Sequence, residues 1–281
     1  MTDLITYTGR GTQSDDKKQR ERNIDSASLT DPQFYVAPPS LAAAVNVARA
    51  LDMPLLLTGE PGCGKSQLAH SVAWELKLGE PLTFTVKSDS QGRDLFYSYD
   101  TLGRFRAKND DDPHRFLRLS ALGRAIWRAL GKNAVLKEDK RLETCINDEK
   151  LCFDLPGSVV LIDEVDKAPR EVPNDILNEI NELGFDIPEL PACPQFALKK
   201  LKQGFSDTAE SGQQNDKPVS KPIVIITSNR ERELPEAFLR RCVYYHVKPL
   251  PFRKTAKNSQ NDHAVTIEDI IKQRLDIDIA A

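Results

Sequence analysis

Two rhythms alternate along the chain. PLLLT (54–58), SVVLID (158–163) and PIVIIT (222–227) are short apolar runs, each ending at polar residues or glycine. Runs of that length read as strands buried on both faces of a parallel sheet. LTFTV (82–86), with Leu82, Phe84 and Val86 on one side, reads as another strand, and VYYHV (243–247) as a fifth. Between them lie segments with helical spacing. LAAAVNVARAL follows Ser40, which reads as an N-cap. KSQLAHSVAWELKL (65–78) sets Leu68, Val72, Ala73 and Leu76 on one face, and ALGRAIWRAL gives a third helix. Strands alternating with helices predict an α/β fold, a parallel five-stranded sheet flanked by helices.

Three stretches interrupt this rhythm. Within 91–118, LFYSY and GRFRA read as two short strands joined through Asp100, Thr101, Leu102 and Gly103, a hairpin insertion. Phe96, Tyr97 and Tyr99 read as packing of that hairpin, with a surface that grips a substrate as the alternative. Residues 131–157 are polar with scattered apolar positions and carry no clear element. From Pro188 to Pro222 runs an insertion whose second half, SDTAESGQQNDKPVSKP, is low in complexity and reads as disordered. The polar stretch from residue 9 to residue 30 reads as a mobile arm. The expected division is an arm at 1–30, a nucleotide-binding domain at 31–250 and a tail at 251–281.

Composition narrows the function classes. Hydrophobic residues make up 40% of 281, enough for a substantial core. Lys and Arg number 39 against 42 Asp and Glu, a formal net charge of -3. That balance offers no global attraction to nucleic acid or to an acidic membrane surface. The five cysteines form no C-x-x-C pair and fit no disulfide framework, which points to reduced thiols and a cytoplasmic location. The opening MTDLITYTGRGTQ has no apolar core like that of a signal peptide, and no run is long enough to span a bilayer. The four histidines show no metal-ligand spacing.

The chemistry is concentrated after three strands. Gly59, Glu60, Pro61, Gly62, Cys63, Gly64, Lys65 and Ser66 fit G-x-x-x-x-G-K-[ST] between a predicted strand and a predicted helix, which Gln67 continues. Glycines let successive N–H groups curl inward around phosphate oxygens, and the helix adds its positive end. In such a loop the lysine reaches the β- and γ-phosphates of ATP, and the hydroxyl of Ser66 ligates Mg²⁺. Asp163 and Glu164 close the SVVLID strand. An acid there lies beside the phosphate loop, suited to Mg²⁺, and a carboxylate one residue on is placed to polarise water. A solvated turn or an acidic cap is the plain alternative. Asn229, after PIVIIT, is a candidate contact for the γ-phosphate or the water, though Ser and Asn are also ordinary turn residues. Arg240 and Arg241 suit the charge on a transferring phosphoryl group, or form a solvated pair at a helix end.

Together GEPGCGKS, VVLIDEVDKAP and VIITSNRERELPEAFLRRC resemble MoxR-like AAA+ ATPases, from about Tyr35 to Pro249, and DLFYSYDTLGRF resembles that family's helix-2 insertion. The resemblance implies a P-loop NTPase sheet of order 5-1-4-3-2 and a ring, usually a hexamer. It implies Lys65 and Ser66 for phosphate and Mg²⁺, Asp163 and Glu164 for Mg²⁺ and water, and Asn229 as sensor. Arg241 is the implied finger, with Arg240 as alternative, and Tyr35 and Val36 fall where the family cradles adenine. Cys242 stands where the family has Phe. The family's helical lid, with its second sensor arginine, is expected to be short or absent here or supplied by another chain, since TIEDIIKQRL is the helical stretch that remains and Arg274 carries no mark of that sensor. The implied function is ATP-driven remodelling or assembly of partner proteins, a von Willebrand factor A domain protein among them. A nucleotide-gated scaffold with little turnover and a nucleic-acid motor are the competing readings, the second disfavoured by the acidic balance.

Overall fold

A computed structural model describes residues 6–10, 31–107, 112–169, 172–191, 193–198, 221–249, 251, 265–268 and 270. The strand and helix rhythm folds as follows. Helix α1 (Pro39–Ala50) precedes β1 (Leu55–Thr58), helix α2 (Lys65–Glu75) and β2 (Leu82–Thr85). A short antiparallel pair, β3 (Tyr97–Tyr99) and β4 (Leu117–Leu119), brackets α3 (Thr101–Arg106). Then come α4 (Ala121–Leu130), α5 (Lys132–Glu138), α6 (Leu142–Asp148), β5 (Val159–Asp163) and α7 (Val172–Glu182). A second antiparallel pair joins β6 (Gly184–Asp186) to β7 (Gln195–Ala197). Strand β8 (Ile223–Ser228), helix α8 (Glu236–Leu239) and strand β9 (Val243–His246) complete the order.

Five strands form one sheet in the order β2-β5-β8-β1-β9, every neighbouring pair parallel. Numbering those five along the chain gives 5-1-4-3-2 read from the β9 edge, as the resemblance implies. Side chains alternate across the pleat. Leu56, Val160, Ile162, Val224 and Ile226 enter a core beneath α4 and α7, built around Trp127, Ile176 and Phe196. Their neighbours Leu55, Leu57, Val159, Leu161 and Ile225 enter the opposite core, under α1 and α2. Apolar residues on both faces make the runs continuous rather than alternating.

The structure corrects several local expectations. GRFRA belongs to α3, not to a strand. Asp100 accepts the Gly103 N–H at 2.7 Å and caps the helix, and the partner of YSY is Leu117–Leu119 instead. Ser40 is not the N-cap of α1. Pro38 holds that position, and the Ser40 hydroxyl pairs with that of Tyr245 at 2.8 Å. Helix α2 stops at Glu75, since Lys77 takes φ 56°. The stretch 131–157 holds α5 and α6. The insertion after Pro188 holds β7, which pairs back onto β6 just before it, while residues 199–220 lie outside the described residues. So does Arg274, although Thr266 is buried and Ile267 donates to the Pro251 carbonyl. Of the expected arm, residues 11–30 lie outside the described residues, while Tyr7 and Gly9 are buried against the domain. Among the described residues no helix is long and apolar enough to cross a membrane.

Candidate nucleotide site

The site forms at the carboxyl ends of β1, β5 and β8, where an open parallel sheet presents its loops. Gly59 leaves β1 so close to β9 that a Cβ would stand 2.5 Å from the Val247 carbonyl oxygen. Gly64 enters α2 in the left-handed region, φ 85°, with the Tyr35 ring 3.5 Å from where a Cβ would sit. A side chain at either position therefore costs strain or a clash. Between them the chain turns through Glu60, Pro61, Gly62 and Cys63, and Gln67 lies half-buried in the first turn of α2.

Lys65 is buried, and its ammonium donates to the carbonyls of Gly59 at 2.9 Å and Glu60 at 2.8 Å. The only cation of the loop thus closes it on itself. One residue on, the Ser66 hydroxyl donates to Asp163 Oδ1 at 2.9 Å. The same oxygen accepts the Thr227 hydroxyl at 2.5 Å, so β5 and β8 meet the start of α2 at one carboxylate. A carboxylate and a hydroxyl side by side at the mouth of a phosphate loop are hard oxygen donors suited to Mg²⁺.

Glu164 occupies the left-handed region, φ 61° and ψ 47°, unusual for a residue with a side chain. Thr227 Oγ1 accepts its N–H at 3.0 Å and helps hold that conformation. The carboxylate is bracketed by Lys167 Nζ at 2.6 Å and by Asn229 Nδ2 at 3.5 Å. Strained backbone of this kind concentrates at functional sites because it aims a side chain. Asn229 is aimed in turn by Asp166, 2% exposed, whose carboxylate accepts the N–H groups of Asn229 and Glu231.

The structure brings together Lys65, Ser66, Asp163, Glu164 and Asn229. Tyr35 joins them from the other side, its ring beside Gly64, and burial pushes its phenol well above the ordinary range, with Cys63 and Tyr245 adding to the effect. Val36 is half-buried next to it. Arg240 and Arg241 are exposed, and Arg241 donates to Asn178 Oδ1 on α7 at 3.2 Å, joining the end of α8 to α7. Burial pushes the Cys242 thiol up to about 12. Sequence reasoning missed Thr227, Asp166 and Lys167. The acid at 166 carried a usable signal, an extra carboxylate just past the strand, but nothing local says that it bonds a loop more than sixty residues away.

Comparison with known proteins places the chain among relatives. A family described as AAA domain (dynein-related subfamily) matches residues 54–242, more than half of the chain. Protein CbbQ of Allochromatium vinosum is 42% identical over 55 residues, 19% of this chain and 72% of that protein. A proposed ATPase of Cytophaga hutchinsonii ATCC 33406, known from its crystal structure, is 13% identical with a TM-score of 0.43. The likeness covers 89% of this chain and 61% of the other, so the chain spans under two thirds of that protein's length.

Proposed function

The chain belongs to the AAA domain family of the dynein-related subfamily, among MoxR-like AAA+ ATPases, and on that premise we propose that it binds and hydrolyses ATP to remodel or assemble partner proteins. One observation carries the reading. Ser66, Asp163, Glu164 and Asn229 converge at the mouth of a glycine loop whose lysine is buried.

In this reading Lys65 exchanges the loop carbonyls for the β- and γ-phosphates, and the N–H groups from Gly62 to Ser66 hold the phosphate oxygens. Ser66 and Asp163 would hold Mg²⁺, which when bound would neutralise charge on the phosphates. Glu164 polarises the attacking water, and Asn229 orients the carboxylate or the γ-phosphate. Tyr35 and Val36 flank adenine. Arg241, or Arg240 in its place, acts on the site of a neighbouring subunit, which implies a ring, a hexamer by likeness to the family. A von Willebrand factor A domain protein is the partner class proposed.

Two substitutions test it. Lys65→Ala loses ATP binding by isothermal titration. Glu164→Gln binds ATP within a few-fold of the unaltered chain but loses turnover by at least about a hundredfold, within the range for general-base removal. An unchanged affinity in the first or an unchanged rate in the second overturns the reading. A chain that binds ATP tightly with no measurable steady-state turnover is the scaffold instead.

A further inference from the structure

Residues 6–10 precede the domain by a long stretch of sequence, yet they occupy a shaped slot between α1 and α2. Tyr7 is 2% exposed, and its hydroxyl meets that of Ser71 at 3.0 Å inside the core. Its backbone is read twice by Asn46. The Asn46 Oδ1 accepts the Tyr7 N–H at 2.9 Å, and Nδ2 donates to the Tyr7 carbonyl at 2.8 Å. The next two N–H groups, of Thr8 and Gly9, go to the two oxygens of Glu75 at 2.5 and 3.1 Å. Glu75 is itself buried at 5% exposure. A buried carboxylate without donors is costly, so the slot is built to receive backbone N–H groups. Ser71 and Glu75 stand one turn apart on α2 and face the same segment.

The far end of the segment touches the nucleotide side. The Gly9 carbonyl accepts the Ala37 N–H at 2.9 Å, two residues after Tyr35. Gly9 has φ 72°, and a Cβ there would lie 2.5 Å from the Ala37 Cβ. Tyr7, Tyr35 and Ala37 pack against the same core cluster.

We infer that the α1–α2 slot is a binding site for an extended peptide, filled by the chain's own residues 6–10, and that filling it fixes the Tyr35–Ala37 loop and strengthens nucleotide binding. The ligand class is specific: a tyrosine whose backbone pairs with Asn46, followed by two free N–H groups, the second on a glycine that fits against Ala37. The link to nucleotide rests on the proposed ATP site, whereas the slot does not.

The test uses the full chain. In the unaltered protein the tethered segment acts at millimolar effective concentration and excludes a competitor. A labelled, end-blocked peptide of residues 4–12, LITYTGRGT, therefore binds poorly to the unaltered chain by fluorescence anisotropy. It binds the Tyr7→Ala and Gly9→Val chains, whose own segment no longer seats, and loses binding when Glu75→Ala is added. In the two released chains the ATP dissociation constant rises about tenfold, within the usual range of coupling between sites, and saturating peptide restores it. Equal peptide binding by all chains, or none by any, overturns the slot. Peptide binding with an unchanged ATP constant overturns the link. Because the peptide measurement needs no nucleotide, failure of ATP binding throughout counts against the proposed ATP site and leaves the slot tested.

Discussion

The carboxylate of Asp166 accepts the backbone N–H of Asn229 at 3.1 and 3.3 Å and that of Glu231 at 2.9 Å. One buried acid after β5 thereby fixes the loop after β8. In Asp166→Asn an amide group of nearly the same shape puts N–H groups against N–H groups. A charge-assisted bond of this kind is worth about 1.5–3 kcal/mol. The substitution should lower kcat by about tenfold or more through misplacement of Asn229, while the ATP dissociation constant stays within about threefold, because the phosphate loop lies between β1 and α2. Titration calorimetry beside steady-state kinetics separates the two. An equal loss in both would make Asp166 a general support of the fold, not a positioning residue.

Acid stability should trace to a second buried cluster, away from the nucleotide. His114 is fully buried, with Asp112 Oδ1 at 2.5 Å from Nδ1 and Asp139 Oδ2 at 2.9 Å from Nε2. Although burial pushes Asp139 upward, its bonds from Arg141 and His114 outweigh that and hold it at about 2, below the ordinary 3.8. Asp112 is lowered in the same way, burial again opposing the His114 bonds. A depressed carboxylate contributes stability above its unfolded value and loses it as pH falls through the folded one. The cluster should thus stabilise fully above about pH 5 and lose its contribution progressively toward pH 2. Urea titrations between pH 3 and 7 should show a steep acid slope in the unaltered chain and a flatter one in Asp139→Asn. Identical slopes would remove the cluster from the acid response.

The sheet was legible because its evidence is local. An apolar run such as SVVLID carries its own burial pattern, and Asp163 and Glu164 are placed by the end of the strand that bears them. The glycine loop was legible for the same reason, since backbone curvature and the helix start lie within eight residues. What the sequence hid depends on distant partners. Asp100 could cap a helix or sit in a hairpin turn, and only the pairing of Tyr97 with Leu119 decides. Tyr7 lies beside a polar tract, and its burial needs Ser71, Asn46 and Glu75. In 131–157 the apolar positions are few, and α5 and α6 are held by packing of Val135, Leu142 and Ile146 on the core beneath α4 rather than by helical periodicity.

The last prediction concerns the exposed arginines. Arg241 lies after α8 and is exposed, with its guanidinium bonded to Asn178 of α7. In the proposed role that guanidinium stabilises a transferring phosphoryl group across a subunit boundary. Such a trans arginine is worth roughly a thousandfold or more in rate. As an ordinary surface group its bond to Asn178 is worth about 0.5–1.5 kcal/mol, an effect on stability and not on turnover. Arg241→Ala and Lys65→Ala should each be inactive alone, the first with ATP binding intact. Mixed in equal amounts, some sites with an intact Lys65 then face an intact Arg241 of a neighbour, and ATPase activity should return to a substantial fraction. Arg240→Ala run in parallel identifies which of the two acts, since only the acting residue needs rescue. Full turnover by Arg241→Ala and by Arg240→Ala alike would exclude both. Inactivity with no recovery on mixing, under conditions where light scattering shows mixed rings, would place the effect within one subunit.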